Sequence, residues 1–215
     1  MSLLVAQKLG ATFAEHFARH ASAAMSARGR FDVALTGGSG AKLYAAIDPH
    51  AVDWTRTHLW WGDERAVAPN HPDSNYRLAE EHLIARVPIP TQNVHRMPAD
   101  LPDLEAAARA YEAELPAALD LIHLGVGPDG HICSLFPEHP LLQERSRRVA
   151  AITDSPKPPP RRLTLTLPAV QAARGRVVTA AGAEKAPIVA RRDDPALPVA
   201  LAGPATWIVD PSANP

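Results

Sequence analysis

An acidic side chain and an imidazole share a glycine-rich turn near the middle of the chain. The apolar residues 119–124 lead directly into the heptapeptide GVGPDGH at residues 125–131. Residues two apart in an extended segment point to the same side, so Asp129 and His131 are predicted to lie together. Glycines allow the backbone of such a turn to approach a ligand closely. Because a carboxylate beside an imidazole can move protons to and from a substrate, this pair is the first candidate for catalysis.

A second glycine-rich turn, TGGSG at residues 36–40, follows the apolar segment 31–35 and precedes a predicted helix. Small residues there leave backbone N–H groups exposed at the start of a helix, where an anion is favoured. The turn matches neither the Walker pattern nor the spaced glycines of a dinucleotide-binding loop. We therefore predict that Gly37, Gly38 and Ser39 bind a single phosphate group on a small molecule.

Three basic side chains lie at the ends of predicted elements. Arg65 ends the sequence GDER after the segment 58–61, and its fork of N–H groups suits it to bind an anion or a developing oxyanion. Arg162 precedes the segment 163–167, and Lys185 lies at a helix start. Both are predicted to complete a phosphate pocket with the Gly38 turn. The alternative for all three is ordinary surface charge, paired weakly with neighbouring acids.

Short apolar segments alternate with helical patterns along the chain, which is typical of a parallel sheet covered by helices. We predict one α/β domain over residues 1–215, with a Rossmann-like, mostly parallel sheet and helices on both faces. Residues 156–160 are interpreted as a stiff surface loop within that domain. The predicted strands are 31–35, 58–61, 119–124, 149–152, 163–167, 176–179 and 207–209, and the predicted helices are 2–27, 41–47, 76–85, 104–119, 168–173 and 183–190.

Composition excludes several classes of function. The formal net charge is −1 with acidic and basic residues intermixed, so we expect neither a nucleic-acid partner nor a membrane surface. Cys133 is the sole cysteine, which excludes an intrachain disulfide and indicates a reducing, cytoplasmic location. A nucleophilic role for this cysteine is rejected because a free cysteine usually behaves as a small buried hydrophobe. The histidines show no metal-ligand spacing, so no metal is expected.

Taken together, these segments resemble the 6-phosphogluconolactonase family over nearly the whole chain. The resemblance implies hydrolysis of 6-phospho-D-glucono-1,5-lactone, a step of the oxidative pentose phosphate pathway, by a monomer or weak homo-oligomer without a cofactor. His131 is then the general base that activates water, and Asp129 orients it. Arg65 or the N–H groups around Gly130 stabilise the oxyanion, or Arg65 binds the phosphate instead. The segments that carry the resemblance are LTGGS at 35–39, WGDER at 61–65, DSNY at 73–76, GVGPDGH at 125–131, SLFP at 134–137, RLTLT at 162–166 and GAEK at 182–185.

Two other functions remain open from the sequence. Glucosamine-6-phosphate deaminases share the fold and a similar Asp-Gly-His turn, but they resemble one another in a Phe-Asn-Glu-Pro stretch that this chain replaces with SLFP at 134–137. Glu138 lies one position away from the deaminase glutamate and is not assigned its role. A sugar-phosphate sensor is the third alternative, and it would have no need for the Asp129/His131 pair.

Overall fold

The computed structural model describes residues 2–215. Within that range, a run of strands and helices alternates along the chain, joined by short 3-10 segments. The strands are β1 (Ser2–Val5), β2 (Phe31–Leu35), β3 (Thr57–Trp61), β4 (Asp63–Arg65), β5 (Leu121–Gly125), β6 (Val149–Ile152), β7 (Arg162–Leu165), β8 (Arg176–Ala180) and β9 (Thr206–Val209). The helices are α1 (Leu9–Arg28), α2 (Gly38–Ala41), α3 (Asn75–His82), α4 (Leu104–Glu114), α5 (Leu167–Ala172), α6 (Ala186–Ala190) and α7 (Pro198–Leu201).

Six strands form one parallel sheet in the order β1-β9-β8-β5-β2-β3. The chain moves from β2 outward to β3, and from β5 outward through β8 and β9 in the other direction. The strand order therefore reverses between β2 and β5, and such a reversal opens a crevice at the carboxyl ends of the strands, where ligands bind in open α/β sheets. This architecture confirms the predicted α/β, Rossmann-like fold with a mostly parallel sheet.

A second sheet, in the order β4-β7-β6, is antiparallel and was not predicted. The segments 149–152 and 163–167 were expected in the parallel sheet, but they form a β-hairpin of their own. Gly62 joins the two sheets, since its N–H donates to Leu35 and its carbonyl accepts from Leu165. The crevice of the large sheet is thereby closed on one side by the small one.

The helices begin and end where local chemistry dictates. Helix α1 buries Phe13, Phe17, Ala21 and Ala24 along one face, and it ends at Gly29, whose left-handed conformation lets its N–H cap the last turn. Helix α4 begins at Asp103, whose carboxylate accepts from the N–H of Ala106. It ends at Glu114 rather than at residue 119, because Pro116 cannot continue a helix.

The amino end of the chain differs from its prediction. Residues 2–27 were expected to form one helix, but Ser2–Val5 is a strand that pairs with β9 in parallel register. Its short apolar run fits a helix as well as a strand, and its partner lies at the opposite end of the chain, so local spacing alone did not reveal it. No helix within residues 2–215 has the length and apolar character needed to cross a membrane.

Candidate active site

A cleft opens at the carboxyl ends of β2, β5 and β8, where the small sheet meets the large one. The structure brings the predicted site residues together there, although they come from distant parts of the chain. Asp129 lies immediately behind His131 rather than on the cleft wall. The cleft is lined by Leu9, Leu43, Asp63, Arg65, His131, Cys133, Arg162, Lys185 and residues 36–40, 125–128 and 179–181.

Asp129 and His131 form a hydrogen-bonded pair at the end of β5. Oδ1 of Asp129 lies 2.5 Å from Nδ1 of His131, so this nitrogen carries a proton and donates it to the carboxylate. The imidazole packs against the ring of Phe136 with 4.8 Å between centroids, which fixes its plane. Among the described residues, Nε2 has no hydrogen-bond partner, and the side chain lines the cleft. Nε2 is therefore an unprotonated acceptor available to a ligand.

Glycine is required at two positions of the turn that carries this pair. A Cβ on Gly127 would lie 1.9 Å from Nδ1 of His131 and 2.4 Å from Oδ1 of Asp129, so any side chain would displace both. Gly130 has a φ of +83°, which L side chains rarely adopt, and its N–H donates to the carbonyl of Gly127. That hydrogen bond engages the N–H of Gly130 within the turn, where it is unavailable to an oxyanion.

The pKa values of the pair shift in directions that suit a base. Burial lowers the pKa of His131 most, and the charge of Lys157 lowers it further, against the raising effect of Asp129; the net pKa lies below 6.5. Burial raises the pKa of Asp129, but the hydrogen bond and charge of His131, together with Lys157, hold it below the usual value. At neutral pH the imidazole is neutral and the carboxylate is ionised.

The two acids of the GDER segment are engaged in structure. Glu64 is buried, and its carboxylate accepts from the N–H groups of Arg65, Asn75 and Tyr76 and from the hydroxyl of Ser74. Burial nevertheless raises its pKa above the usual value. Asp63 accepts from Asn75 Nδ2 at 3.0 Å and Ser134 Oγ at 2.7 Å. Both carboxylates thus fix the amino end of α3 and the turn that follows His131, and neither is a candidate base.

Arg65 lines the cleft with donors to spare. One terminal nitrogen donates to the carbonyl of Asp73 at 2.6 Å, which orients the guanidinium. Nε is buried and has no hydrogen-bond partner within residues 2–215. The other terminal nitrogen also has no hydrogen-bond partner within residues 2–215 and, unlike Nε, is not buried, so it is the donor available to a ligand anion in the cleft.

The glycine-rich turn after β2 is shaped by its neighbours. A Cβ on Gly37 would lie 1.8 Å from Oδ1 of Asn75, so the amino end of α3 excludes a side chain there. Gly38 has a φ of +58° and faces open space. Thr36 fixes the turn to the sheet, because its N–H donates to Tyr44 and its hydroxyl accepts from Gly125. Bare backbone therefore faces the cleft at Gly37 and Gly38, and the exposed Ser39 follows them.

Arg162 occupies the cleft wall, but its donors are turned elsewhere. Nε donates to the carbonyl of Pro159, one terminal nitrogen donates to those of Lys157 and Pro158, and the other lies 3.4 Å from Ser134 Oγ. Its side chain is 5% exposed, and burial lowers its pKa. Nε and one terminal nitrogen are thus committed to the loop between β6 and β7, a role that local sequence did not suggest.

The remaining candidates fall into two groups. Lys185 lines the cleft, and its ammonium donates to the carbonyl of Val126 at 2.9 Å, which leaves other donors for a ligand. Cys133 lines the cleft too, but burial raises the pKa of its thiol well above 9.0, so it stays protonated. Glu138 is exposed and borders a separate surface depression with Leu142 and Pro195, outside the cleft lining.

Residues 5–213 match the model of the family described as glucosamine-6-phosphate isomerases/6-phosphogluconolactonase. This chain belongs to that family. A human 6-phosphogluconolactonase is 42% identical over 96% of this chain and 89% of its own length. A 6-phosphogluconolactonase from Streptomyces coelicolor is 46% identical over 78% of this chain and 72% of its own length. The crystal structure of 6-phosphogluconolactonase from Thermotoga maritima superposes with a TM-score of 0.87 at 28% identity, covering 97% of each chain.

Membership of this family confirms the resemblance inferred from the motifs, and it includes both activities that the sequence left open. One residue at the site carried no signal in the sequence. Lys157 sits in the loop 156–160, which was interpreted as a surface connection, yet its ammonium lies beside Asp129 and His131. Its place depends on how the loop folds back from the small sheet, and that information is absent from local spacing.

Proposed function

We propose that this protein hydrolyses 6-phospho-D-glucono-1,5-lactone to 6-phospho-D-gluconate in the oxidative pentose phosphate pathway. The observation that carries the proposal is the Asp129/His131 pair, with an unprotonated Nε2 on a cleft that also holds Arg65 and Lys185. The relatives named 6-phosphogluconolactonase support the substrate. Hydrolysis of an activated ester requires water, a base and charge stabilisation, which these side chains can supply.

His131 is the proposed general base. Nε2 takes a proton from a water molecule while the water oxygen attacks the lactone carbonyl carbon, and Asp129 stabilises the imidazolium that forms. The tetrahedral intermediate carries its charge on the former carbonyl oxygen. When it collapses, the bond to the ring oxygen breaks and the imidazolium returns its proton to that oxygen, which gives the open-chain acid.

Arg65 is the proposed donor to the oxyanion. The sequence left its N–H groups and those near Gly130 as alternatives, and the N–H of Gly130 is engaged by Gly127. The terminal nitrogen of Arg65 that has no partner among the described residues, on a side chain that lines the cleft, favours the guanidinium. Donors of this kind, aimed where charge develops, are typically worth about 10²–10³ in rate.

The phosphate group is proposed to lie on the Gly37 and Gly38 backbone with Ser39 and Lys185. Its binding energy would position the lactone against His131 without taking part in the reaction. Arg162 is better assigned to the loop it anchors than to the phosphate, because Nε and one terminal nitrogen donate to the carbonyls of that loop. The cytoplasmic location and the monomeric or weakly oligomeric state remain proposals from the sequence.

A deaminase is the competing activity within this family, and the position of Glu138 disfavours it. SLFP at 134–137 replaces the deaminase stretch, and Glu138, the glutamate that follows it, lies outside the cleft lining. The deciding experiment generates the lactone in situ from glucose 6-phosphate and couples the product to 6-phosphogluconate dehydrogenase. We expect a rate far above spontaneous hydrolysis in the wild type and in Cys133→Ala, and near-background hydrolysis in His131→Ala. Release of ammonia from glucosamine 6-phosphate without lactone hydrolysis would overturn the proposal.

A further inference from the structure

Lys157 touches both members of the Asp129/His131 pair. Its Nζ lies 3.3 Å from Oδ2 and 3.4 Å from Oδ1 of Asp129, and 3.2 Å from Nδ1 of His131. Nδ1 of His131 already donates its proton to Asp129, so the ammonium cannot donate to it. The hydrogen bonds of Lys157 therefore go to the carboxylate, which receives the imidazole and the ammonium together.

Lys157 does not lie there as a freely moving surface side chain. Its backbone carbonyl accepts from Arg162 and from the hydroxyl of Ser155, and its N–H donates to that same hydroxyl. Arg162 also holds the carbonyls of Pro158 and Pro159. The buried guanidinium of Arg162, on the first residue of β7, therefore fixes the backbone from which the ammonium reaches Asp129.

We infer that Lys157 is a positioning residue that orients the Asp129 carboxylate and keeps His131 unprotonated for its role as base. This inference rests on the proposed role of His131. Lys157 is absent from the cleft lining, so it acts through the pair rather than on the substrate. The loop between β6 and β7, interpreted from the sequence as a stiff surface loop, therefore carries the side chain that acts on Asp129 and His131 at the end of β5.

The charges around His131 give the direction of the effect. Asp129 and the more distant Asp63 favour the imidazolium, whereas burial and Lys157 oppose it. If the imidazole were protonated, the ammonium would face a second cation at close range. Removing Lys157 takes away one of the two effects that lower the pKa of His131, while Asp129 and Asp63 still raise it. The imidazole is therefore expected to be protonated at a higher pH.

The test compares Lys157→Met with Lys157→Arg and with Arg109→Met. Arg109 is an exposed cation on α4, outside the cleft lining, so its removal matches the change in net charge. The readouts are the acid limb of kcat/KM and the pKa of His131 measured by NMR titration of the resting enzyme. In Lys157→Met we expect both to move upward by roughly half a pH unit, a modest value because the ammonium is partly exposed.

The other variants and the salt dependence complete the prediction. Lys157→Arg and Arg109→Met are both expected to keep the acid limb of kcat/KM and the pKa of His131 at their wild-type positions. High ionic strength reduces the difference between Lys157→Met and the wild type, since salt screens exposed charges. An unchanged His131 pKa in Lys157→Met, or an equal shift in Arg109→Met, would overturn the inference. A shifted pKa in an enzyme without lactonase activity would support the inference and refute the proposed function.

Discussion

Two histidines of the same strand-turn segment lie in opposite environments. His123 is inside β5, fully enclosed, with Nδ1 2.8 Å from Tyr44 Oη and Nε2 2.8 Å from Thr179 Oγ1. His131 follows the strand, where one nitrogen meets a carboxylate and the other faces the cleft. Burial lowers the pKa of His123 to about 3, whereas Asp129 opposes the same effect at His131. The imidazole alone does not make a base.

The hydrogen bonds of His123 define its task. Tyr44 Oη accepts from the N–H of Thr36 and is hydrogen-bonded to Nδ1 of His123, and Nε2 of His123 is hydrogen-bonded to the hydroxyl of Thr179. Both ring nitrogens are hydrogen-bonded, and the network ties the glycine-rich turn after β2 to β8. His123 therefore has a structural role, whereas His131 keeps Nε2 available to a ligand in the cleft. The reactive histidine is therefore the one whose first ring nitrogen donates to a carboxylate and whose second ring nitrogen has no hydrogen-bond partner among the described residues.

Replacing each histidine in turn gives the largest contrast. His131→Ala is expected to lower kcat about 10²–10⁴-fold while the affinity for 6-phosphogluconate stays nearly unchanged, because the general base is lost and the phosphate contacts are kept. His123→Gln is expected to retain kcat within about tenfold, since the side-chain amide of the glutamine can form part of the hydrogen-bond network of the imidazole. Steady-state kinetics and product binding check both. A larger kcat loss in His123→Gln than in His131→Ala would reverse the assignment.

The next prediction concerns Arg65, the proposed hydrogen-bond donor to the oxyanion. Arg65→Met should lower kcat about 10²–10³-fold with a smaller effect on KM, because its contact with the oxyanion forms only in the transition state. Arg77 on α3 is an exposed arginine outside the cleft lining, and Arg77→Met is the matched control. A rise in KM with kcat unchanged in Arg65→Met would place this guanidinium on the phosphate instead.

His123 should also control stability in acid. Its pKa in the folded protein is about 3, below the ordinary 6.5, so the unfolded chain binds more protons between these values. Stability from this group is complete above pH 6.5 and is lost as the pH falls, by about 2 kcal/mol at pH 5. Urea unfolding at pH 8 and pH 5 measures it. The pH-dependent loss should be about that much smaller in His123→Gln; an equal loss in both proteins would refute it.

Lys185 is expected to give the smallest effect of the series. Lys185→Met should raise KM about tenfold and leave kcat nearly unchanged, because its proposed contact with phosphate is the same in the ground and transition states. The same variant should lose little activity toward an unphosphorylated lactone. If KM for the phosphorylated substrate does not change, Lys185 does not bind the phosphate.

The parts of the fold that depend on local pattern were predictable from the sequence. Strands β2, β3, β5 and β8 are apolar runs bounded by glycine or polar residues, and they carry the turns that form the cleft. Strand β1 and the antiparallel sheet were not predicted from the sequence. Their pairing depends on residues far away in the chain, such as β4 with β7, and a three-residue strand has no periodicity to detect.

The site shows the same division. His131, Asp129 and Arg65 lie at strand ends, and their side-chain chemistry is visible in their residue types. The expected role of Arg162 at the phosphate stays a prediction, because a cation at a strand end looks the same in the sequence whether it faces a phosphate or the carbonyls of its own loop. Lys157 was missed since its partners lie in a different sheet, and only the folded hairpin brings it to Asp129.

The account depends most on His131 acting as a neutral base. The decisive measurement is the pH dependence of kcat/KM for lactone hydrolysis, corrected for the spontaneous rate and set beside an NMR titration of His131. We predict a single acid limb below pH 6.5 that coincides with the pKa of His131. An acid limb that differs from this pKa, or that persists unchanged in His131→Ala, would show that another group accepts the proton.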